Sequence, residues 1–139
     1  MKSIYLDTHV VIWLYTDDAI NLPEVAKILI ESNDLLICPM VFLEIQYLKE
    51  IGRINCGPNE MIEDLRGKID LQIDELPFEI VARRATEIHW TRDPFDRLIA
   101  ASALSRSYPL ITKDVSILTH LSLAVWDTPK TLVHASIHH

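Results

Sequence analysis

Asp7, Glu44, Asp96 and Asp114 are acids set at the edges of apolar runs, and brought together they would hold a divalent cation. Asp7 follows Ser3-Ile4-Tyr5-Leu6, and Asp114 follows Leu110-Ile111-Thr112-Lys113. Asp96 opens an Ala-rich run of helical period, and Glu44 interrupts the apolar stripe of another. Mg²⁺ and Mn²⁺ prefer such oxygen donors, take only a few carboxylates directly and keep several waters. The chemistry this implies is metal-assisted hydrolysis of a phosphodiester.

Each acid also has a purely structural explanation. Asp7 and Asp114 stand just before helical patterns, where a carboxylate caps backbone N–H groups. Asp93 followed by Pro94 reads as a cap and first helical residue, which makes Asp96 the acid that the helix dipole favours in the first turn. Glu44 fits this account least. It falls on the stripe of Val41, Ile45 and Leu48, while Lys49 and Glu50 fall off it. A carboxylate on a core-facing stripe calls for a cation, either a basic side chain or a metal ion. Asp96 shares a face with Ile99, Ala100 and Ala103, whose small side chains let another element approach. Four clustered acids without a cation would raise one another's pKa.

The elements that must position these residues alternate between strand-like and helical patterns, as in an α/β domain with a mainly parallel sheet. Strands are predicted at 3–6, 35–38, 71–74, 110–111 and 124–126, and helices at 9–15, 23–32, 39–51, 59–66, 78–89, 94–105 and 115–120. Pro39, Pro77 and Pro94 mark helix starts, where the missing N–H costs nothing. In open parallel sheets sites form at the carboxyl ends of strands, so Asp7 and Asp114 should share one edge. No repeat, low-complexity tract or long linker divides the chain, and the whole of residues 1–139 is expected to form one domain. The stretch 52–58 is the loosest.

At 139 residues and 49% hydrophobic, the chain can bury a core. No run approaches the ~20 apolar residues of a transmembrane helix, and the N-terminal segment lacks the unbroken apolar centre of a signal peptide. A cytoplasmic protein away from membranes is expected. Cys38 and Cys56 belong to no zinc spacing and read as reduced, partly buried thiols. A net charge of −7 argues against a broad basic surface for nucleic acid, but a carboxylate cluster filled with a cation attracts phosphate. Arg83, Arg84, Arg92 and Arg97 are candidates for phosphate contact, with surface salt bridges the equal alternative. Trp13, Trp90, Trp126, Tyr5 and Tyr47 read as core or interface rather than stacking platforms, and His9 as a polar residue of a first helical turn, with substrate contact two residues from Asp7 the alternative. His138 and His139 are either native or the remnant of a purification tag.

Ile4-Tyr5-Leu6-Asp7-Thr8-His9, Leu43-Glu44, the segment Arg92-Asp93-Pro94-Phe95-Asp96-Arg97-Leu98-Ile99-Ala100-Ala101 and Ile111-Thr112-Lys113-Asp114 resemble the ordered motifs of PIN-domain proteins. They most resemble the VapC toxins of bacterial and archaeal type II toxin–antitoxin modules. The likeness runs from Ile4 to about Trp126, and its most specific part is the segment around Asp96. It implies a three-layer α/β/α sandwich and a Mg²⁺- or Mn²⁺-dependent endoribonuclease, neutralised by a cognate antitoxin and commonly homodimeric or assembled into toxin–antitoxin hetero-oligomers. By position, Asp7, Glu44, Asp96 and Asp114 match the family's catalytic, metal-binding acids, with Asp7 and Asp96 the direct ligands. Thr8 and Thr112 match positions that orient carboxylates or waters, and Asp93 is either an accessory ligand or a cap. The segments 22–30 and 41–51 carry apolar residues suited to antitoxin or dimer surfaces.

Other readings compete. A receiver domain would place an acidic pair after the first strand and an Asp after the central one; here Thr8 follows Asp7, and 35–38 ends without Asp. A haloacid dehalogenase-type phosphatase would have Asp where His9 stands. A PIN nuclease of RNA processing and a non-catalytic metal-binding interaction module both stay open, separated by whether the protein cuts RNA.

Overall fold

The computed structural model describes residues 2–127. His138 and His139 lie outside the described residues. Five strands form one all-parallel sheet in the order β3-β2-β1-β4-β5: β1 Ser3–Leu6, β2 Asp34–Ile37, β3 Gln72–Ile73, β4 Leu110–Ile111 and β5 Ala124–Val125. Seven α-helices accompany them among the described residues: α1 Thr8–Tyr15, α2 Glu24–Ser32, α3 Met40–Glu50, α4 Pro58–Ile69, α5 Phe78–Ala85, α6 Pro94–Arg106 and α7 Val115–His120. A short 3-10 turn at Ala19–Asn21, absent from the sequence expectation, joins α1 to α2. No helix among the described residues is long and apolar enough to cross a membrane.

The strand order places the site. The chain steps from β1 outward to β2 and β3, then crosses back over β1 to add β4 and β5 on its other side. Right-handed crossovers in opposite directions put helices on opposite faces of the sheet, which gives the α/β/α arrangement. α1, α3 and α4 pack on one another, α5 packs on α6, and α3 bridges the two groups. Ile4, Tyr5, Leu6, Leu110 and Ile111 are buried, as strands covered on both faces must be. The reversal occurs between β1 and β4, so their carboxyl ends open side by side. Asp7 and Thr112 stand there.

The helix starts follow the caps expected of them. Asp7 accepts the Thr8 N–H at 2.8 Å, Asp93 Oδ1 accepts the N–H groups of Phe95 and Asp96, and Asp114 accepts that of Ile117. At its end, α3 closes in a Schellman turn: Gly52 takes φ +81°, its N–H reaches Lys49 O, and Arg53 N–H reaches Leu48 O at 2.9 Å.

Three boundaries depart from expectation, most of all that of α5. The helix predicted over 78–89 ends at Ala85, because the N–H groups of Thr86, Glu87 and Ile88 turn to carbonyls three residues back and tighten the chain. Ile88 then drops into the core, and its carbonyl accepts two bonds from the Arg97 guanidinium, at 3.1 and 2.7 Å. The predicted strand 71–74 shortens to Gln72–Ile73, and the predicted helix 59–66 runs on to Ile69, where Asp70 takes the left-handed conformation.

Candidate active site

The carboxyl ends of β1 and β4, the middle of α3 and the first turn of α6 converge on one cleft of about 390 Å³. Asp7, Glu44, Asp96, Asp114, Asp93, Lys113, His9 and Trp13 line it. All four acids singled out from the sequence therefore face a common space, although 107 positions separate the first from the last.

Asp7 is the most deeply set. Its carboxylate accepts the Thr112 hydroxyl at 2.6 Å through Oδ2 and the Thr8 N–H through Oδ1. Thr112 in turn accepts the Asp114 N–H at 3.0 Å, so one buried hydroxyl links the acids that follow β1 and β4. The Thr8 hydroxyl donates to Glu44 Oε1 and ties α1 to α3. The two threonines thus act on different carboxylates. Glu44 is half-buried on the face whose Val41, Ile45 and Leu48 are fully buried, as its place on the stripe requires.

The electrostatics show what the cleft lacks. Burial pushes the Asp7 carboxyl up, the Thr112 and Thr8 bonds and His9 pull it down, and Asp114 adds a further push upward. Burial raises Glu44 to about 7; the Thr8 bond opposes this, while Asp7, Asp93 and Asp114 add to it. Asp96 is likewise raised to about 7, by burial first and then by Asp93, Asp114, Asp7 and Glu44. None of these carboxylates forms an ion pair among the described residues. An all-oxygen set of acids that repel one another is the donor chemistry a hard divalent cation neutralises. Among the described residues no three ligating side chains already stand close enough to close around one ion. Cations such as Mg²⁺ do not need that closure, since waters complete most of their shell.

Two features of the cleft escaped the sequence reading. Lys113 brings a positive charge to its rim, with Nζ 5.5 Å from the centre of the Trp13 ring. Trp13, expected in core or interface, is half-buried and forms a wall, its ring 6.2 Å from His9 and 5.9 Å from Trp126. The only signal for Lys113 was its place beside Asp114, and for Trp13 its helical spacing from His9. Three of the four arginines expected to contact phosphate are engaged otherwise, Arg83 with Glu79, Arg84 with Glu87, and Arg97 with Ile88, while Arg92 is exposed.

A parallel sheet reversing between β1 and β4, with a carboxylate cleft at that switch point, defines a class of fold and site. The profile of the PIN domain matches residues 4–119, and the chain belongs to that family. Membership implies a nuclease. Among solved structures, the chain resembles one from a crystal structure of VapBC2 from Rickettsia felis bound to a DNA fragment from their promoter. That likeness has 15% identity and a TM-score of 0.60, and it covers 90% of this chain and 99% of that one. A chain of a toxin–antitoxin complex from Klebsiella pneumoniae is similar at 16% identity and a TM-score of 0.61, with the same coverages of 90% and 99%. At these identities the likeness establishes shared fold. No curated protein sequence matches the chain.

Proposed function

We propose that this chain is a single PIN-like domain acting in the cytoplasm as the toxin of a type II toxin–antitoxin pair. On this reading it is a divalent-metal-dependent endoribonuclease held in check by a cognate antitoxin. The observation that carries the proposal is the unneutralised carboxylate cleft at the β1/β4 switch point of a PIN-domain chain. The toxin assignment draws its support from the two neighbours, both chains of toxin–antitoxin assemblies that this chain overlays over nearly their full length.

Asp7 and Asp96 would hold Mg²⁺ or Mn²⁺, with Glu44 and Asp114 steadying its waters or completing a second site. A cation held there would supply neutralising charge for the carboxylates and Lewis-acid polarisation of an RNA phosphate toward attack by water. The chain's own contribution is orientation. Thr112 pins Asp7, Thr8 pins Glu44, and the cap at Asp93 fixes the first turn of α6 and so the direction of Asp96. Lys113 offers the incoming phosphate a cationic rim on an otherwise acidic molecule. The exposed Leu43, Tyr47 and Ile51 form an apolar strip along α3, and Ile28 stands exposed on α2; these are surfaces for an antitoxin or a second copy.

The test is cleavage of a mixed RNA pool by the purified protein with Mg²⁺ or Mn²⁺, against EDTA and against Asp96→Asn. The expected result is cutting that needs the cation and is lost in the variant. A second reading, the non-catalytic metal-binding module, would use the same acid cleft without cutting RNA. Saturable cation binding by a folded, partner-free protein that cuts nothing would favour it.

A further inference from the structure

Beside the acid cleft lies a second groove that the reaction proposed above does not use. It is the larger of the two, about 580 Å³, within the ~300–1,000 Å³ typical of small-molecule sites. The two share His9 and Trp13, so one continuous surface leads from the carboxylates into the groove. Its floor is apolar and buried, made by Ile12, Leu48 and Met61. Its wall is the half-buried ring of Tyr15, whose hydroxyl lies 3.3 Å from Cys56 Sγ. Exposed Arg53 and Asn55 form its rim, directed there by the Schellman turn at Gly52.

We propose that this groove binds an unstacked nucleobase of single-stranded RNA next to the scissile phosphate, and that Tyr15, Arg53 and Asn55 set the base preference of the cut. The inference rests on the nuclease reading and extends it. Three observations favour a base over a peptide side chain. The groove begins at the wall of the acid cleft, so a strand whose phosphate lies over the carboxylates has its neighbouring nucleotide at the entrance. Trp13 and Tyr15 bring aromatic rings to an aliphatic floor, the residue types on which single-stranded RNA bases stack. The Asn55 amide supplies both a donor and an acceptor for a base edge, and the Arg53 guanidinium supplies donors and a positive charge. Lys113 on the cleft side and Arg53 on the groove side leave two cationic points along the path of the backbone.

The test pairs abasic RNA with groove variants. The Asp96→Asn protein is titrated with a fluorescent 2′-O-methyl oligonucleotide and with versions abasic at each position in turn. Binding is then repeated in Asp96→Asn carrying Arg53→Ala and Asn55→Ala, and again carrying Tyr15→Ala. Both rim residues are exposed, so their removal leaves the core intact. One abasic position is expected to weaken binding at least 10-fold with the groove intact and less than 3-fold in the rim variant. In parallel, the ends produced from an RNA pool by protein with Asp96 restored should show relaxed base preference at one position beside the cut when the rim is changed. Cutting with unchanged preference, together with equal abasic penalties in both backgrounds, would overturn the groove and leave the nuclease standing. Oligonucleotide binding that depends on the rim in a protein that cuts nothing would uphold the groove and remove the nuclease. Failure to bind any oligonucleotide would overturn the groove.

Discussion

Two buried aspartates follow strands of the same sheet, β1 and β3, and they have opposite fates. Asp74 follows β3 and is buried; Arg106 from the end of α6 bonds it at 2.6 Å, and the Tyr5 hydroxyl from β1 donates to it. Burial alone would raise its pKa, but Arg106 and Tyr5 outweigh burial and hold it below the usual carboxylate range. Asp7 follows β1 and is equally buried, yet the groups around it are one hydroxyl, one N–H, a histidine and further acids, and its pKa is raised. Position at a strand end is therefore not what makes a site. Asp74 has its positive charge built into the chain, whereas Asp7 and its neighbouring carboxylates form no ion pair among the described residues.

The largest way to sharpen this contrast is at the level of activity. Asp7→Asn or Asp96→Asn should lower metal-dependent RNA cleavage by ~10²-fold or more while circular dichroism stays unchanged; Asp74→Asn should leave the cleavage rate per folded molecule near wild type. Cleavage by Asp96→Asn at the wild-type rate would remove that residue from the site.

Stability should invert the order. Asp74→Ala strands Arg106 and the Tyr5 hydroxyl. It should cost about 2–3 kcal/mol in urea unfolding, below the ~3–5 of a wholly buried pair because the Arg106 side chain is 36% exposed. Asp96→Asn removes a carboxylate that its neighbours repel, and should raise the stability of the metal-free protein at pH 8. A loss on that substitution would mean that Asp96 is already paired.

The pH profile divides the same way. Glu44 and Asp96 hold protons up to about 7 in the folded state, from ordinary values of 4.5 and 3.8. The folded, metal-free protein thus binds more protons than the unfolded chain between roughly pH 4 and 7, and its stability falls as pH rises through that window. Asp74 works in the opposite direction: its contribution is complete above its ordinary value of 3.8 and is lost as pH drops below it. Thermal melts of metal-free protein should give a lower Tm at pH 8 than at pH 5, with Mn²⁺ or Mg²⁺ restoring the difference at pH 8. Asp74→Asn should flatten only the acid limb.

The smallest effects belong to the orienting hydroxyls. Thr112→Val should weaken cation affinity ~10–100-fold by releasing Asp7, and Thr8→Val should act less because Glu44 is not among the direct ligands proposed. Isothermal titration with Mn²⁺ ranks the two.

Much of the cleft was legible before the structure because each acid left a local trace. Asp7 and Asp114 sit where strands stop and helices need caps, Asp93 caps α6, and Glu44 breaks a stripe whose other members are apolar. What could not be read is which elements become neighbours. Thr112 meets Asp7 only because β4 inserts beside β1, and Thr8 meets Glu44 only because α1 packs on α3. Trp13 and Lys113 were missed for the same reason: helical spacing cannot say whether an aromatic faces core or cleft. The overlong α5 shows a different limit. Thr86 and Glu87 tolerate a helix, and what ends it is burial of Ile88 and the grip of Arg97, both set by packing. Asp74 also stood in plain view at the end of a predicted strand, with nothing nearby in sequence to announce Arg106.

The central place of β1 has a consequence for how the protein is made. The strand that precedes all the others in the chain is flanked on one side by β2 and on the other by β4, and the hydroxyl that holds Asp7 arrives 105 positions later. At ~5–20 residues per second, a ribosome needs about 5–20 s to pass from one to the other. Throughout that interval the emerging chain carries its first carboxylate without the partners that orient it. Contacts this distant are also slow to form after release. An activity that depends on this cluster cannot begin before β4 and Thr112 have been made and have folded in beside β1.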